Sequence, residues 1–228
     1  MTAAVHLHPT APLAPRVLLP GDPGRALRLA QALLSEPKMF NHNRGLWGYT
    51  GPAADGELLT IQSTGMGGPS AAIVIEELVR LGAQRLLRIG TCGALDESLE
   101  LGDILIATAA IAADGTSRAL GAGERVAAGQ ELVDALERVR AGVPATVVSS
   151  DLFYDARGLE TKWAAAGARA IEMEAATLFV LAARRGLPAG ALLIVSDRLA
   201  GGEPARIEAD ALHTAEYRAG ELAVSALR

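Results

Sequence analysis

The sequence predicts an α/β fold: a single domain over residues 1–228, built on a mixed, mostly parallel sheet with helices on both faces. Three observations predict it. Short apolar runs of strand character alternate with segments of helical spacing, the order that generates a parallel sheet. Gly and Pro punctuate the joints between them. The 228 residues are 50% hydrophobic and carry no linker, repeat or low-complexity stretch, so they suit one large core better than two small ones.

Val17–Leu19 reads as a short buried strand ended by Pro20-Gly21-Asp22-Pro23, and Ala26–Leu34 has the spacing of a helix. Tyr49-Thr50-Gly51-Pro52 and Asp55-Gly56 read as turn chemistry around a pair of strands, the second being Leu58–Ser63. Pro69 opens a helix that runs to Leu81 and is closed by Gly82. Leu86–Gly90, Ile104–Ala110 and Ala145–Ser149 are strand candidates, with an amphipathic helix over Gln130–Arg140. Ala175–Arg185 is a helix stopped by Gly186, Gly190–Val195 is a very apolar strand, and a last helix covers much of Arg206–Leu227.

Composition removes several classes of function. A net charge of -5 gives no basic footprint for nucleic acid or an anionic membrane, and aromatics at 4% give no stacking platform. Cys92 is the one cysteine, so neither an internal disulfide nor a cysteine-based metal cluster is expected. No stretch has the apolar length of a membrane span, and Met1 to Pro15 lacks the apolar core of a signal peptide. The expected address is the cytoplasm. Lysine occurs only at Lys38 and Lys162, so arginine carries the positive charge and matters only where its setting is unusual.

Four segments set glycine or a polar residue directly after an apolar strand. They are Pro20–Arg25, Ser63–Gly68, Arg88–Gly93 and Val195–Asp197. Glycine lets backbone approach a ligand and turns N–H groups toward an anion. Arg25 and Arg88 can add planar, bidentate forks, and a Thr hydroxyl completes a phosphate cradle. The alternative is a set of tight turns capped by solvated arginines. Gly65-x-Gly67 lacks the third glycine of a dinucleotide fingerprint, and no Walker-type loop is present. Arg88 is the most telling of these residues, because it lies inside the apolar run Leu86–Ile89, where a cation needs a partner. That partner is either an anionic ligand or a buried structural carboxylate. Glu172-Met173-Glu174 enters a helix, where acids are ordinary partners of the dipole. A carboxylate there can also accept both hydroxyls of a sugar diol.

Taken together, Ser63–Ile73 ending in Glu77-Leu78, Gly21-Asp22-Pro23-x-Arg25, Asn43-Arg44-Gly45, Arg88–Gly93, Ser149–Tyr154 and Glu172–Ala175 occur in one order across the chain. This ordered set resembles the nucleoside phosphorylase family, which includes bacterial hexameric purine nucleoside phosphorylases and uridine phosphorylases. The resemblance implies phosphate held by Gly21, Arg25, Arg88 and Thr91, with Arg44 donated by a neighbouring subunit. It implies that Glu174 binds the ribose hydroxyls, with Glu172 beside it and Met66 and Met173 against the sugar. His6, rather than His8, would reach the sugar from the neighbour, and Phe153 would pack on the base. Uridine phosphorylases carry a Gln-x-Arg pair where this chain has Arg157 and Leu159, whereas Ser196-Asp197 matches the purine enzymes.

The resemblance therefore implies phosphorolysis of purine (deoxy)ribonucleosides in purine salvage. Asp197 would be the general acid beside Ser196, and a homohexamer would form as a trimer of dimers. Inorganic phosphate would be a co-substrate, with no metal or organic cofactor. One departure stands out. The purine enzymes place an arginine thirteen residues after the acid, where an ungapped count lands on Asp210, leaving Arg206 or Arg198 to assist Asp197. Uridine phosphorylase, a water-using nucleosidase and a nucleoside-binding protein are the rival readings.

Overall fold

A computed structural model describes residues 4–200 and 203–228. Its strands are β1 (Arg16–Pro20), β2 (Lys38–Asn41), β3 (Gly48–Pro52), β4 (Leu58–Gln62), β5 (Arg85–Ala94), β6 (Ile104–Ala112), β7 (Arg125–Ala127), β8 (Val143–Ser149), β9 (Ala170–Glu172), β10 (Ala189–Arg198) and β11 (Ala205–Arg206). Its helices are α1 (Pro23–Leu33), α2 (Gly68–Leu81), α3 (Gly115–Ala119), α4 (Gln130–Arg138), α5 (Glu160–Ala165), α6 (Ala175–Arg185) and α7 (Ala209–Ala226).

All strands belong to one mixed sheet. β4, β1, β5 and β10 form one parallel block, and β6, β8 and β9 a second. The blocks meet along two antiparallel seams, β10 with β6 and β9 with β5, so β5, β10, β6, β8 and β9 close on themselves as a ring. Closure removes free edges from the most buried strands. β3 and β2 extend the other side as an antiparallel flank. Helices α1 and α4 each pack on α7, while α2, α3 and α6 pack on one another, and both groups lean on β10. No helix among the described residues is long and apolar enough to cross a membrane.

Local chemistry sets the boundaries. Asp22 caps α1 by accepting from the N–H groups of Gly24 at 3.0 Å and Arg25 at 2.8 Å. Pro23 occupies the first turn, so the helix starts three residues before the expected Ala26. Pro69 and Gly82 bound α2 as expected, Gly82 taking the left-handed conformation at φ 112°. Residues 49–52 are a correction: they form β3, paired to β4, and the turn falls after them around Asp55-Gly56.

Two strands run further than their apolar cores suggest. β5 continues through Gly90-Thr91-Cys92-Gly93 because β10 and β9 bond to it there, Gly93 facing both Asp197 and Ile171. β10 continues through Ser196-Asp197, with a bulge between Val195 and Asp197 that resets which way the side chains point. In both places the polar segment lies within the strand and not in a loop beyond it.

Candidate functional site

The carboxyl ends of β4, β1, β5 and β10 lie side by side, which gathers the four glycine- and arginine-bearing segments. The segments after β1 and β4 are stitched together: Thr64 N–H donates to Pro20 O at 2.9 Å and Gly65 N–H to Gly21 O at 3.0 Å. A side chain on Gly21 would begin 3.2 Å from Gly65 O, and Gly65 and Gly67 hold φ values of 72° and 82°. The close approach explains the first glycine, and the left-handed backbone explains the other two.

Arg88 occupies the middle of this arrangement and is buried. Its Nη2 donates to Glu174, and its Nε lies 3.4 Å from a Glu172 oxygen. Of the two partners offered by the sequence, the buried carboxylate is present. The pairing is incomplete, however: Nε and Nη1 make no hydrogen bond among the described residues. The guanidinium folds over Gly90, where a Cβ would meet Nη2 at 2.8 Å and Leu193 at 2.9 Å. We expect Gly90→Ala to cost about 1–3 kcal/mol by overpacking and to displace Arg88. A fall in Tm accompanied by weakened anion binding would check it.

Arg25 reaches the same strand from α1. Its Nε donates to Glu216 at 2.6 Å and its Nη1 to Ile89 O at 3.3 Å. Both side chains are buried, so the solvated-cap reading does not describe Arg25 or Arg88. Thr91 is half-buried, and its hydroxyl bonds to nothing among the described residues.

Glu172 and Glu174 sit in different settings. Glu172 is wholly enclosed, and its oxygens accept from Ser149 Oγ and from the N–H groups of Glu174 and Ala175 at 2.9 Å. Burial raises its pKa, and the neighbouring Glu174 adds to the rise against the opposing pull of Arg88. Its carboxylate holds the start of α6 and the Nε edge of Arg88, and it has no surface to offer a sugar. Glu174 stands at the N-cap position of the same helix, but its side chain makes no cap hydrogen bond and instead accepts from Gly67 N–H and from Arg88. Gly67 in turn borders an open groove of about 620 Å³ shared with Met66, Pro69, Thr116, Asp151 and Met173. Met66 is 85% exposed and Met173 half-buried. Phe153, on the loop after β8, is exposed and meets Tyr154 edge-on, the ring centroids 5.0 Å apart.

Asp197 follows the bulge in β10. Ser196 Oγ donates to its Oδ2 at 2.7 Å, and Arg206 Nη1 stands 3.4 Å from its Oδ1. β11 pairs Arg206 directly opposite Asp197, which puts that arginine there. Arg198 instead turns to Glu100 at 3.4 Å, and Asp210 lies exposed in the first turn of α7.

Arg44 and His6 stand apart from the Arg25–Arg88 cluster of their own chain. Arg44 is exposed in a 3-10 turn at φ 58°, and Asn43 Nδ2 from that turn donates to His6 O at 2.8 Å. Val5, His6 and Leu7 are held in place, against the expectation of a frayed terminus. Glu77 on α2 accepts from the N–H groups of Val5, His6 and Leu7, and contacts His6 Nδ1 at 2.7 Å. Burial works to raise the Glu77 pKa, but these donors outweigh it and the net is a lowering. Arg44 and His6 are therefore presented together on one surface.

Glu216 is a contributor that the sequence did not single out, while Ser149, Gly90 and Gly67 fall within its motifs without an assigned role. Glu216 had a visible signal, a carboxylate on the apolar stripe of Ala219, Gly220 and Ala223. Gly67 and Ser149 stood in quoted motifs, but their contacts with Glu174 and Glu172 join distant segments.

Residues 15–228 match the model of the phosphorylase superfamily. A guanosine phosphorylase of Halorubrum lacusprofundi is 41% identical over 203 residues, covering 85% of this chain and 82% of that protein. DeoD-type purine nucleoside phosphorylases of an Exiguobacterium strain and of Geobacillus kaustophilus are 39% and 35% identical, the alignments covering 84% and 87% of each chain. With that match running from before β1 to the last residue, the chain belongs to the phosphorylase superfamily.

Proposed function

We propose that this chain cleaves purine nucleosides with inorganic phosphate, releasing the free purine and (deoxy)ribose 1-phosphate. The observation that carries the reading is Arg88: a buried guanidinium bonded to Glu174 on one side and left with an unpaired Nη1 beside Gly21 on the other. One residue thereby adjoins a carboxylate suited to a sugar diol and a glycine turn suited to an oxyanion.

In this reading Gly21, Arg25, Arg88 and Thr91 hold phosphate below the sugar. Glu174 accepts the ribose hydroxyls, with Met66 and Met173 against the ring. Glu172 acts as a positioning residue for Arg88 and α6. As the bond from the anomeric carbon to the purine nitrogen breaks, a phosphate oxygen bonds to that carbon, and the electron pair leaves with the base. Asp197 delivers a proton to purine N7, Arg206 steadies the carboxylate that results, and Ser196 and Phe153 border the base. Phosphate is the nucleophile, so the reaction needs no metal or organic cofactor.

Arg44 and His6 complete the site of a neighbouring copy in a dimer-based hexamer. Their shared surface, held by Asn43 and Glu77, supports this assignment. Residues 1–228 act as one domain, and the enzyme serves purine salvage in the cytoplasm. The uridine reading is disfavoured by Arg157 and Leu159 at the positions of the uracil-reading pair, and by relatives named for guanosine and purine nucleosides. A spectrophotometric screen of guanosine, inosine, adenosine and uridine with phosphate tests the base class. Turnover of purines with none of uridine is expected, and the reverse would refute it.

A further inference from the structure

We propose that Glu216 is a positioning residue for the anion site, setting the angle at which Arg25 meets phosphate; this rests on the function proposed above. Glu216 lies on α7, far in sequence from Arg25 and Arg88, and is 2% exposed. Its Oε1 accepts from Arg25 Nε at 2.6 Å. Its Oε2 accepts from Arg28 Nε at 3.0 Å and Nη2 at 2.8 Å. On α7 it shares a face with buried Ala219, Gly220 and Ala223, positions where folding alone favours an apolar side chain.

The geometry gives the carboxylate a use. An arginine binds an oxyanion best through two parallel N–H groups in a fixed plane. By taking Nε, Glu216 fixes the plane of Arg25 and leaves its Nη end directed at Ile89 of β5, whose carbonyl Nη1 already contacts and which pairs with Pro20 at the carboxyl end of β1. Arg28, which is part-exposed and also 3.6 Å from Asp22, shares the charge of Glu216. The Arg25 charge is therefore not cancelled by its own support. Arg88 is likewise held by carboxylates, Glu174 on Nη2 and Glu172 at 3.4 Å from Nε, while neither Nε nor Nη1 makes a hydrogen bond among the described residues.

The full-length enzyme tests this with two variants. Glu216→Gln keeps size and one acceptor but removes the charge; Glu216→Asp keeps the charge and withdraws it by one methylene. Each should raise the phosphate KM about tenfold while the nucleoside KM stays within about twofold. In an Arg25→Ala background, Glu216→Gln should add nothing to the phosphate KM, because the support has lost what it supports. Calorimetric binding of inorganic phosphate alone provides a readout independent of turnover. A wild-type enzyme that cleaves nucleosides without phosphate would defeat the proposed function, while the Glu216 effect would still be read in phosphate binding. Unchanged phosphate affinity in folded Glu216→Gln, or an undiminished effect on top of Arg25→Ala, overturns the assignment. Where Glu216→Gln does not fold, Glu216→Asp decides by the same two readouts.

Discussion

Asp197→Asn should lower kcat on guanosine or inosine by about 10²- to 10⁴-fold, the usual worth of general acid assistance. On 7-methylguanosine the loss should be far smaller. That base already carries positive charge in its imidazole ring and departs without needing a proton. The substitution is well suited to isolating chemistry from folding. Asn keeps the size of Asp and can still accept the Ser196 hydroxyl hydrogen bond. The contact it gives up, to an Arg206 side chain that is 69% exposed, is worth about 0–1 kcal/mol. Steady-state kinetics on both substrates with an unchanged Tm provide the reading. Equal losses on the two would remove Asp197 from the acid's role. Arg206→Ala should produce a milder version of the same pattern, whereas Arg198→Ala should not, since Arg198 faces Glu100.

Arg88→Ala should be more damaging, in two separable ways. Loss of a cation aimed at transferring phosphate costs on the order of 10²- to 10³-fold in kcat/KM for phosphate. It also leaves Glu172 and Glu174 buried without a counter-charge, a loss of about 3–5 kcal/mol in a broken buried pair. The stability effect has a definite pH sign. Burial already raises the Glu172 pKa, and removing Arg88 takes away a charge that opposed the rise. A carboxyl whose folded pKa lies above its unfolded value binds protons more tightly when folded. Its stability is complete below the unfolded value and declines as pH climbs through the folded one. The Tm deficit of Arg88→Ala relative to wild type should therefore be smaller near about pH 5 than near about pH 8. A deficit independent of pH would show that Glu172 does not depend on Arg88.

The helices and the first turns of the site were largely legible in the sequence. Pro69 and Gly82 marked α2, and Gly186 marked the end of α6, because those residues act through their own backbone. The strand ends were less legible. Thr91–Gly93 and Ser196-Asp197 read as segments beyond strands, since the apolar runs stop before them; pairing between distant strands carries them onward. The short strands β2, β7, β9 and β11 are likewise products of their partners. β11 matters most, because its two-residue pairing is what places Arg206 opposite Asp197. Arg25 and Arg88 could be chosen from composition and position. That each is held by its own carboxylate, Glu216 or Glu172 with Glu174, required the tertiary fold.

The most direct measurement is the identity of the sugar released from guanosine with and without phosphate. Cleavage that depends on phosphate, with ribose 1-phosphate as the sugar product, is the expected result. Free ribose formed at an undiminished rate in phosphate-free buffer would contradict it, and would leave Arg88 as a structural partner of its two carboxylates.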